Sequence, residues 1–374
     1  MKVALELQPC CGNRSGIGTY TYELARRLQD GDGLEFVGNV FNFLYRNDNT
    51  SALNDIEMPI RVQPCMPYGV YRRIWHAVPV SYNAMFSLAD LNVFFNFIVP
   101  PRVRGKVITV IYDMTYLRFP ETMNKSNLQR IRRDIARCVE HSDKIITISE
   151  FSKREIQTLL QVPEEKIEIV YSAPSITTEV TSFQMLQKRL NVKQPYLLYM
   201  GTIEPRKNLV RLIQAFDWLK RERKIPHQLV LAGGDGWKTE EIHRAAETAQ
   251  FANEIRFTGY LSSKEKNTLY QNADLMVFPS LYEGFGMPPL EAMLFGCPTV
   301  CSNTASLPEI AGEAAELVDP LSVQAIADGI WHVLSDSNYR HALIAKGVQQ
   351  AARFSWDQSA EKMFRICKEV LGGI

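Results

Sequence analysis

Residues 201–209 of this 374-residue chain read GTIEPRKNL and follow the apolar run PYLLYM. Arg206 and Lys207, side by side just past the end of a buried strand, need an anion from the protein or from a ligand. The sequence favours a ligand, because a second segment, PSLYEGFGMPPLEA over residues 279–292, offers matching chemistry. Its EGFG exposes backbone N–H groups, and Pro288 or Pro289 suits the first position of a helix. Bare N–H groups at a helix N-terminus favour an anion. Two side-chain cations and one helix end would then serve the same diphosphate. Glu283 and Glu291 lie eight residues apart in this segment. A carboxylate accepts two hydroxyl hydrogen bonds, which suits the vicinal diols of a sugar or a ribose. Taken singly, Glu291 reads as a helix-dipole residue and Glu283 as a solvated loop carboxylate. Beside the Arg-Lys pair and the glycine-rich turn, they read as sugar and nucleoside contacts.

Two further loops carry weaker signals. CCGNRSGIGTYTYEL places Gly16 and Gly18 at a turn into a helix, where their N–H groups can cap a distal phosphate or simply make the turn. VIYDMTYLRFPE, residues 110–121, puts Asp113 at the end of an otherwise apolar strand, as a substrate contact or as a cap for the next segment.

The elements that must position these residues alternate along the whole chain. Strand candidates are KVALEL, LEFVGNVFNF, LNVFFN, KVITVIYD, DKIITIS and KIEIVYS, then PYLLYMG, QLVLAGG, EIRFTGY, ADLMVFPS, PTVCSN and AAELVDP. Amphipathic stretches such as GTYTYELARRLQ separate them. Continuous apolar strands separated by helices predict parallel sheets covered on both faces. The number of strands favours two Rossmann-like domains over one sheet. The polar stretch 173–194 contains no clear strand and marks the boundary, giving domains over 1–175 and 176–354. Residues 355–374, a final amphipathic helix, are expected to pack back on the first domain.

Lys plus Arg number 42 against 41 Asp plus Glu, so the net charge of +1 gives no sign of a nucleic-acid partner. No run approaches a membrane span, and the start MKVALELQPCCG reads as a buried strand, not a signal peptide. Seven cysteines without zinc spacing suggest reduced thiols in a cytosolic protein. The Asp30–Asp32 pair follows a helix candidate, the wrong end of a Rossmann unit for a metal site. Arg206, Lys207 and the helix near Pro288 can neutralise a leaving diphosphate without metal, so neither metal nor cofactor is expected.

GTIEPRKNL, the E-x7-E of Glu283 and Glu291 with GFGMPPLEAM inside it, FTGYLSSKE and SGIGTYTYEL resemble glycosyltransferase family 4. The similarity is dense over roughly residues 195–310 and patchier over 1–175. MKVALELQPCCG, SGIGTYTYELARRL and IYDMTYLRFPE are most similar to bacterial O-antigen mannosyltransferases. The resemblance implies a retaining GT-B enzyme, α/β, with two Rossmann-like doubly wound domains facing across a cleft. It implies transfer of mannose from GDP-mannose to a polyprenyl-diphosphate-linked glycan, with same-face attack and a phosphate oxygen accepting the proton. Such an enzyme would be cytoplasmic, peripheral at the inner face of the cytoplasmic membrane.

Residue by residue, the resemblance implies that Arg206 and Lys207 clamp the donor diphosphate, Glu283 faces the donor sugar and Glu291 holds the ribose hydroxyls. It implies backbone contacts at Phe285, Gly286 and Met287 and a phosphate contact at Gly16, with Gly18 and Thr202 in the same donor loops. The segment from Thr258 to Leu261, with Tyr260, matches the edge against which the base lies. The family often carries His before the aspartate of the fourth loop, where this chain has Tyr112, so Asp113 is the catalytic candidate there and Tyr112 an acceptor-side one. For the acceptor, PCMPYGVYRRIWHAVPVSYNAMF offers Tyr68, Arg72 and Arg73 among aromatics. Lys125, Arg130, Arg132 and Arg133 form a second basic stretch, read either as a solvated helix face or as a membrane contact. Two alternatives stay open from the sequence: the same reaction with a UDP-sugar, and a nucleotide-sugar epimerase using Glu283 and Asp113. A non-catalytic partner of another transferase is a third.

Overall fold

The computed structural model describes residues 1–12, 16–45, 53–77, 81–174, 177 and 179–372. The chain divides into two compact units. The first comprises Met1–Met114, Lys125–Ser172 and Ser355–Ile374, and the second Thr115–Asn124 and Ala173–Phe354. The loop residues 13–15 ahead of Gly16 lie outside the described residues.

The first unit holds a parallel sheet of strands β1 (Lys2–Glu6), β2 (Glu35–Phe41), β3 (Ile60–Gln63), β4 (Leu91–Phe94), β5 (Lys106–Val110), β6 (Lys144–Thr147) and β7 (Ile167–Ile169). Their order is β3-β2-β1-β4-β5-β6-β7. The second unit holds β8 (Tyr196–Met200), β9 (Gln228–Ala232), β10 (Ile255–Phe257), β11 (Leu275–Phe278), β12 (Thr299–Ser302) and β13 (Glu316–Val318), ordered β10-β9-β8-β11-β12-β13. Both are doubly wound. Each sheet reverses its winding between two central strands, β1 and β4 in the first, β8 and β11 in the second. Every residue of β8, β9 and β11 is buried, the signature of a parallel strand covered on both faces. β3 was not among the expected strands. IRVQ is short, lies between Pro59 and Pro64 and forms a half-buried edge, so it has no continuous apolar run to mark it.

The final helix, Trp356–Val370, belongs to the first unit. Trp356 meets Tyr20 edge-on at 5.6 Å, Phe364 lies 5.9 Å from Phe36, and the Ser359 hydroxyl donates to the Tyr171 carbonyl at 2.7 Å. Residues Thr115–Asn124 depart from the expected 1–175 domain and pack with the second unit. The Trp237 indole N–H donates to the Thr122 carbonyl, Lys238 Nζ to that of Glu121, and Phe119 lies 5.5 Å from Tyr282.

Beyond β8 and β9 the backbone comes unusually close to itself. Gly233, at φ 142°, lies where a Cβ would sit 2.0 Å from the Gly201 carbonyl oxygen. Gly233→Ala therefore combines a forbidden φ with a backbone clash, and should destabilise the second unit by about 2 kcal/mol or more. Urea unfolding followed by circular dichroism measures this; a midpoint equal to wild type would refute the close-approach argument.

Candidate active site

In the second unit the charged residues follow β8 and β11, the two strands flanking the reversal. Ligands of open parallel sheets bind at that position. After β8 the Ile203 N–H donates to the Gly234 carbonyl at 3.0 Å and its carbonyl accepts from the Gly236 N–H at 2.9 Å, which fixes the loop and leaves Thr202 exposed. Pro205–Lys207 makes one 3-10 turn, closed by Asn208 at φ 61°. The Asn208 Nδ2 donates to the carbonyls of Pro279 at 3.0 Å and Pro320 at 2.7 Å, and the Leu281 N–H donates to the Arg206 carbonyl at 2.9 Å. These bonds tie the loop after β8 to the loops after β11 and β13.

Glu283 receives both cations. Arg206 Nη1 donates to Glu283 Oε2 at 2.9 Å and also to the Tyr282 carbonyl, Arg206 Nη2 donates to Glu204 Oε1 at 2.7 Å, and Lys207 Nζ donates to Glu283 Oε1 at 2.5 Å. This corrects the reading in which the pair waits only for a ligand anion, since the protein supplies Glu204 and Glu283. The physical reason is burial. The Lys207 side chain is 11% exposed, and a cation there without a counter-charge costs several kcal/mol. Burial pushes the Glu283 carboxyl up, but Arg206 and then Lys207 outweigh it and lower its pKa from 4.5 to about 2. Lys207 is shifted below its ordinary value, because burial and Arg206 disfavour its charge more than Glu283 supports it.

The helix Met287–Leu294 starts at Met287, so Pro288 takes its second position, not its first. Gly286 caps it at φ 110°, where a Cβ would come within 2.6 Å of Leu307 Cδ2. Phe285 is buried edge-on against Phe354, and the Ser306 hydroxyl lies 2.9 and 2.7 Å from the carbonyls of Glu283 and Phe285, shaping the turn. Glu291 sits in the second helical turn and accepts from the Tyr270 hydroxyl at 2.9 Å. Tyr260 is 79% exposed while the adjoining Leu261 is buried. The structure thus brings Arg206, Lys207 and Glu283 into direct contact. Glu204, Asn208, Tyr270 and Ser306 were missed by sequence reasoning; only Glu204, two residues before Arg206, carried a signal.

In the first unit Gly16 opens the helix Gly16–Ala25, exposed, and Gly18 is buried in its first turn. Asp113 is half-buried in the loop after β5. Tyr112 beside it is 6% exposed, edge-on to Tyr20 at 5.3 Å, and burial raises its phenol well above the ordinary value. Its ring is thus part of the packing of the unit rather than part of its surface. Tyr68 and Arg72 share the helix Tyr68–Ile74, with the Arg72 guanidinium 5.6 Å over the Tyr68 ring, and Arg73 is exposed on the same helix. In the basic stretch, Arg133 pairs with the buried Asp134 at 2.9 Å.

Two doubly wound parallel domains, one with a charged cluster at its reversal and a glycine-capped helix beside it, define the GT-B class of glycosyltransferases. Residues 181–350 match the family model for glycosyl transferases group 1. The chain is 31% identical to O-antigen chain mannosyltransferase B of Escherichia coli over 98% of its own length and 100% of that protein. It is 28% identical to the serotype-specific mannosyltransferase WbdA of Escherichia coli over 92% of this chain and 45% of that one. The solved structure of WaaG, a glycosyltransferase involved in lipopolysaccharide biosynthesis, superposes with a TM-score of 0.72 at 16% identity, covering 100% of both chains. The chain belongs to the group 1 glycosyl transferases.

The ionic cluster makes stability depend on acid. Glu283 contributes fully above its unfolded pKa of 4.5, and its contribution is lost as pH falls towards about 2. Glu283→Gln should cost about 3 kcal/mol at neutral pH, because it strands the buried Lys207 and takes one of two carboxylates from Arg206. It should also flatten the loss of stability between pH 4.5 and 2. Thermal melts of both proteins across that range check this, and superimposable acid limbs would contradict it.

Proposed function

We propose that the chain is a retaining, metal-independent mannosyltransferase that moves mannose from GDP-mannose to a lipid-linked glycan in O-antigen synthesis. The observation that carries the reading is the Arg206–Lys207–Glu283 cluster at the reversal of the second sheet, in a chain similar end to end to an O-antigen mannosyltransferase. Breaking the anomeric C–O bond leaves extra negative charge on the diphosphate, and catalysis requires that charge to be stabilised more in the transition state than before it. Arg206 and Lys207 would meet it, with the N–H groups around Gly286 and Met287.

The cluster as it stands holds two cations and two carboxylates, so its formal charge is zero. A diphosphate would compete with Glu283 for Lys207, and the carboxylate so released would turn to the sugar hydroxyls. Glu291 would hold the ribose, and Tyr260 would border the base with Leu261 and Thr202 nearby in the donor loops. In the first domain Gly16 and Gly18 would face phosphate, Asp113 would orient the acceptor, and Tyr68, Arg72 and Arg73 would border it. The acceptor would be a polyprenyl-diphosphate-linked glycan, reached by peripheral contact at the inner face of the cytoplasmic membrane. No helix among the described residues is long and apolar enough to cross a membrane.

Purified protein in EDTA, offered GDP-mannose, UDP-glucose and UDP-GlcNAc, should release nucleotide from GDP-mannose alone. Arg206→Ala should lower that rate by about a hundredfold, the loss of one charge-assisted contact made in the transition state. Arg206→Lys, which keeps the charge without the fork, should fall between. Turnover of a UDP-sugar instead would replace the donor, and failure in EDTA with rescue by Mg²⁺ would refute metal independence.

A further inference from the structure

We propose that Glu6 is an acceptor-recognition residue, whose carboxyl hydrogen-bonds a hydroxyl of the sugar that receives the transferred group. The inference rests on the reading of the first domain as the acceptor side. Glu6 is the last residue of β1, in register with Asn39 of β2 and Phe94 of β4. It therefore stands at the point where the first sheet reverses its winding, the position at which such sheets bind ligands. It is 5% exposed. Its carboxyl accepts the Gln8 backbone N–H, while Oε1 has no hydrogen-bond partner among the described residues.

An unmet buried acceptor costs about 1–3 kcal/mol, and the local fold does not require one here. The side chain that serves this strand end is Gln8, whose Oε1 accepts the Phe41 N–H at 2.8 Å. Phe41 in turn packs against Tyr68 at 5.3 Å and Tyr71 at 5.2 Å, which holds the helix Tyr68–Ile74 beside the strand ends. The Gln8 N–H gives the carboxyl one bond, and the unmet Oε1 still costs stability.

The surroundings select the ligand. Arg72 of that helix and Arg130 of the helix Lys125–His141 both act on Glu6, so a cationic ligand is disfavoured. A bare phosphate is repelled at Oε1 whenever the carboxyl is ionised, so it does not suit both states of the group. Burial outweighs the Gln8 N–H and the two arginines and raises the Glu6 carboxyl from 4.5 to about 8. A hydroxyl donates to a carboxylate and accepts from a protonated acid, so it satisfies this oxygen in either state. A sugar presents several hydroxyls of this kind.

The test compares wild type, Glu6→Gln and Glu6→Leu with saturating GDP-mannose and three probes: the octyl glycosides of mannose, N-acetylglucosamine and galactose. For a probe that wild type accepts, Glu6→Leu should lower acceptor kcat/KM by at least about tenfold, chiefly through KM, the loss of one hydrogen bond to a buried group. Glu6→Gln should lose less, because the carboxamide still bonds a hydroxyl. Donor hydrolysis without acceptor and the KM for GDP-mannose should hold, and the melting temperature of Glu6→Leu should equal or exceed that of wild type. Unchanged acceptor kinetics in Glu6→Leu would overturn the proposal. So would an equal loss of donor hydrolysis with a lowered melting temperature, the pattern of a structural residue. Wild type that hydrolyses GDP-mannose but transfers to none of the probes would overturn the acceptor role while sparing the donor reading. Wild type that hydrolyses no nucleotide sugar would remove the proposed function, and this inference with it.

Discussion

A carboxylate pinned between a buried and a half-buried cation is the interaction around which the second unit is arranged. Glu283 can occupy its place only because Arg206 and Lys207 come to it from another loop, and they arrive only because β8 and β11 are neighbours. That neighbourhood is where a doubly wound sheet leaves room beyond its strand ends. Asn208 and Ser306 add the uncharged bonds that hold the loops in shape, so the charged groups need not hold themselves. The two cations are thus held in place by contacts within the protein.

Comparison of Glu283 with Glu6 shows how little residue type decides. Each is a buried glutamate beside the reversal of its sheet, yet Glu283 is driven down to about 2 and Glu6 up to about 8. The difference lies in contact. Glu283 accepts hydrogen bonds from two cations, while Glu6 accepts one backbone N–H and feels its arginines only across space. Desolvation acts on both, and direct charge-assisted bonds decide which way the balance falls.

Much of this was legible in the sequence where physics writes it locally. Parallel strands buried on both faces must be apolar along their length, so β8, β9 and β11 stood out, as did the cationic pair following the first of them. β3 did not, since a short edge strand needs only half a hydrophobic face. Glu283 could not be read as the partner of Arg206 and Lys207, because it is more than seventy residues away and a chain position carries no distance through space. Tyr112, the acceptor-side candidate next to Asp113, has its ring enclosed by Tyr20 and Phe97, a packing that its place in the sequence did not reveal. Glu6, inside an apolar strand, carried no signal of its own.

The first unit is assembled from pieces on both sides of the second. Its sheet is made before Ala173, yet Trp356, which closes over Tyr20, is made only after Phe354. On the ribosome the second unit therefore emerges whole while the first still lacks its last helix, with the aromatic surface around Tyr20 and Phe36 uncovered. Domains generally fold as units during synthesis, so in this chain the later-coded unit completes first. The earlier-coded one waits for the helix Trp356–Val370 to leave the exit tunnel, and a ribosome stalled before that stage would expose the apolar surface that the helix covers.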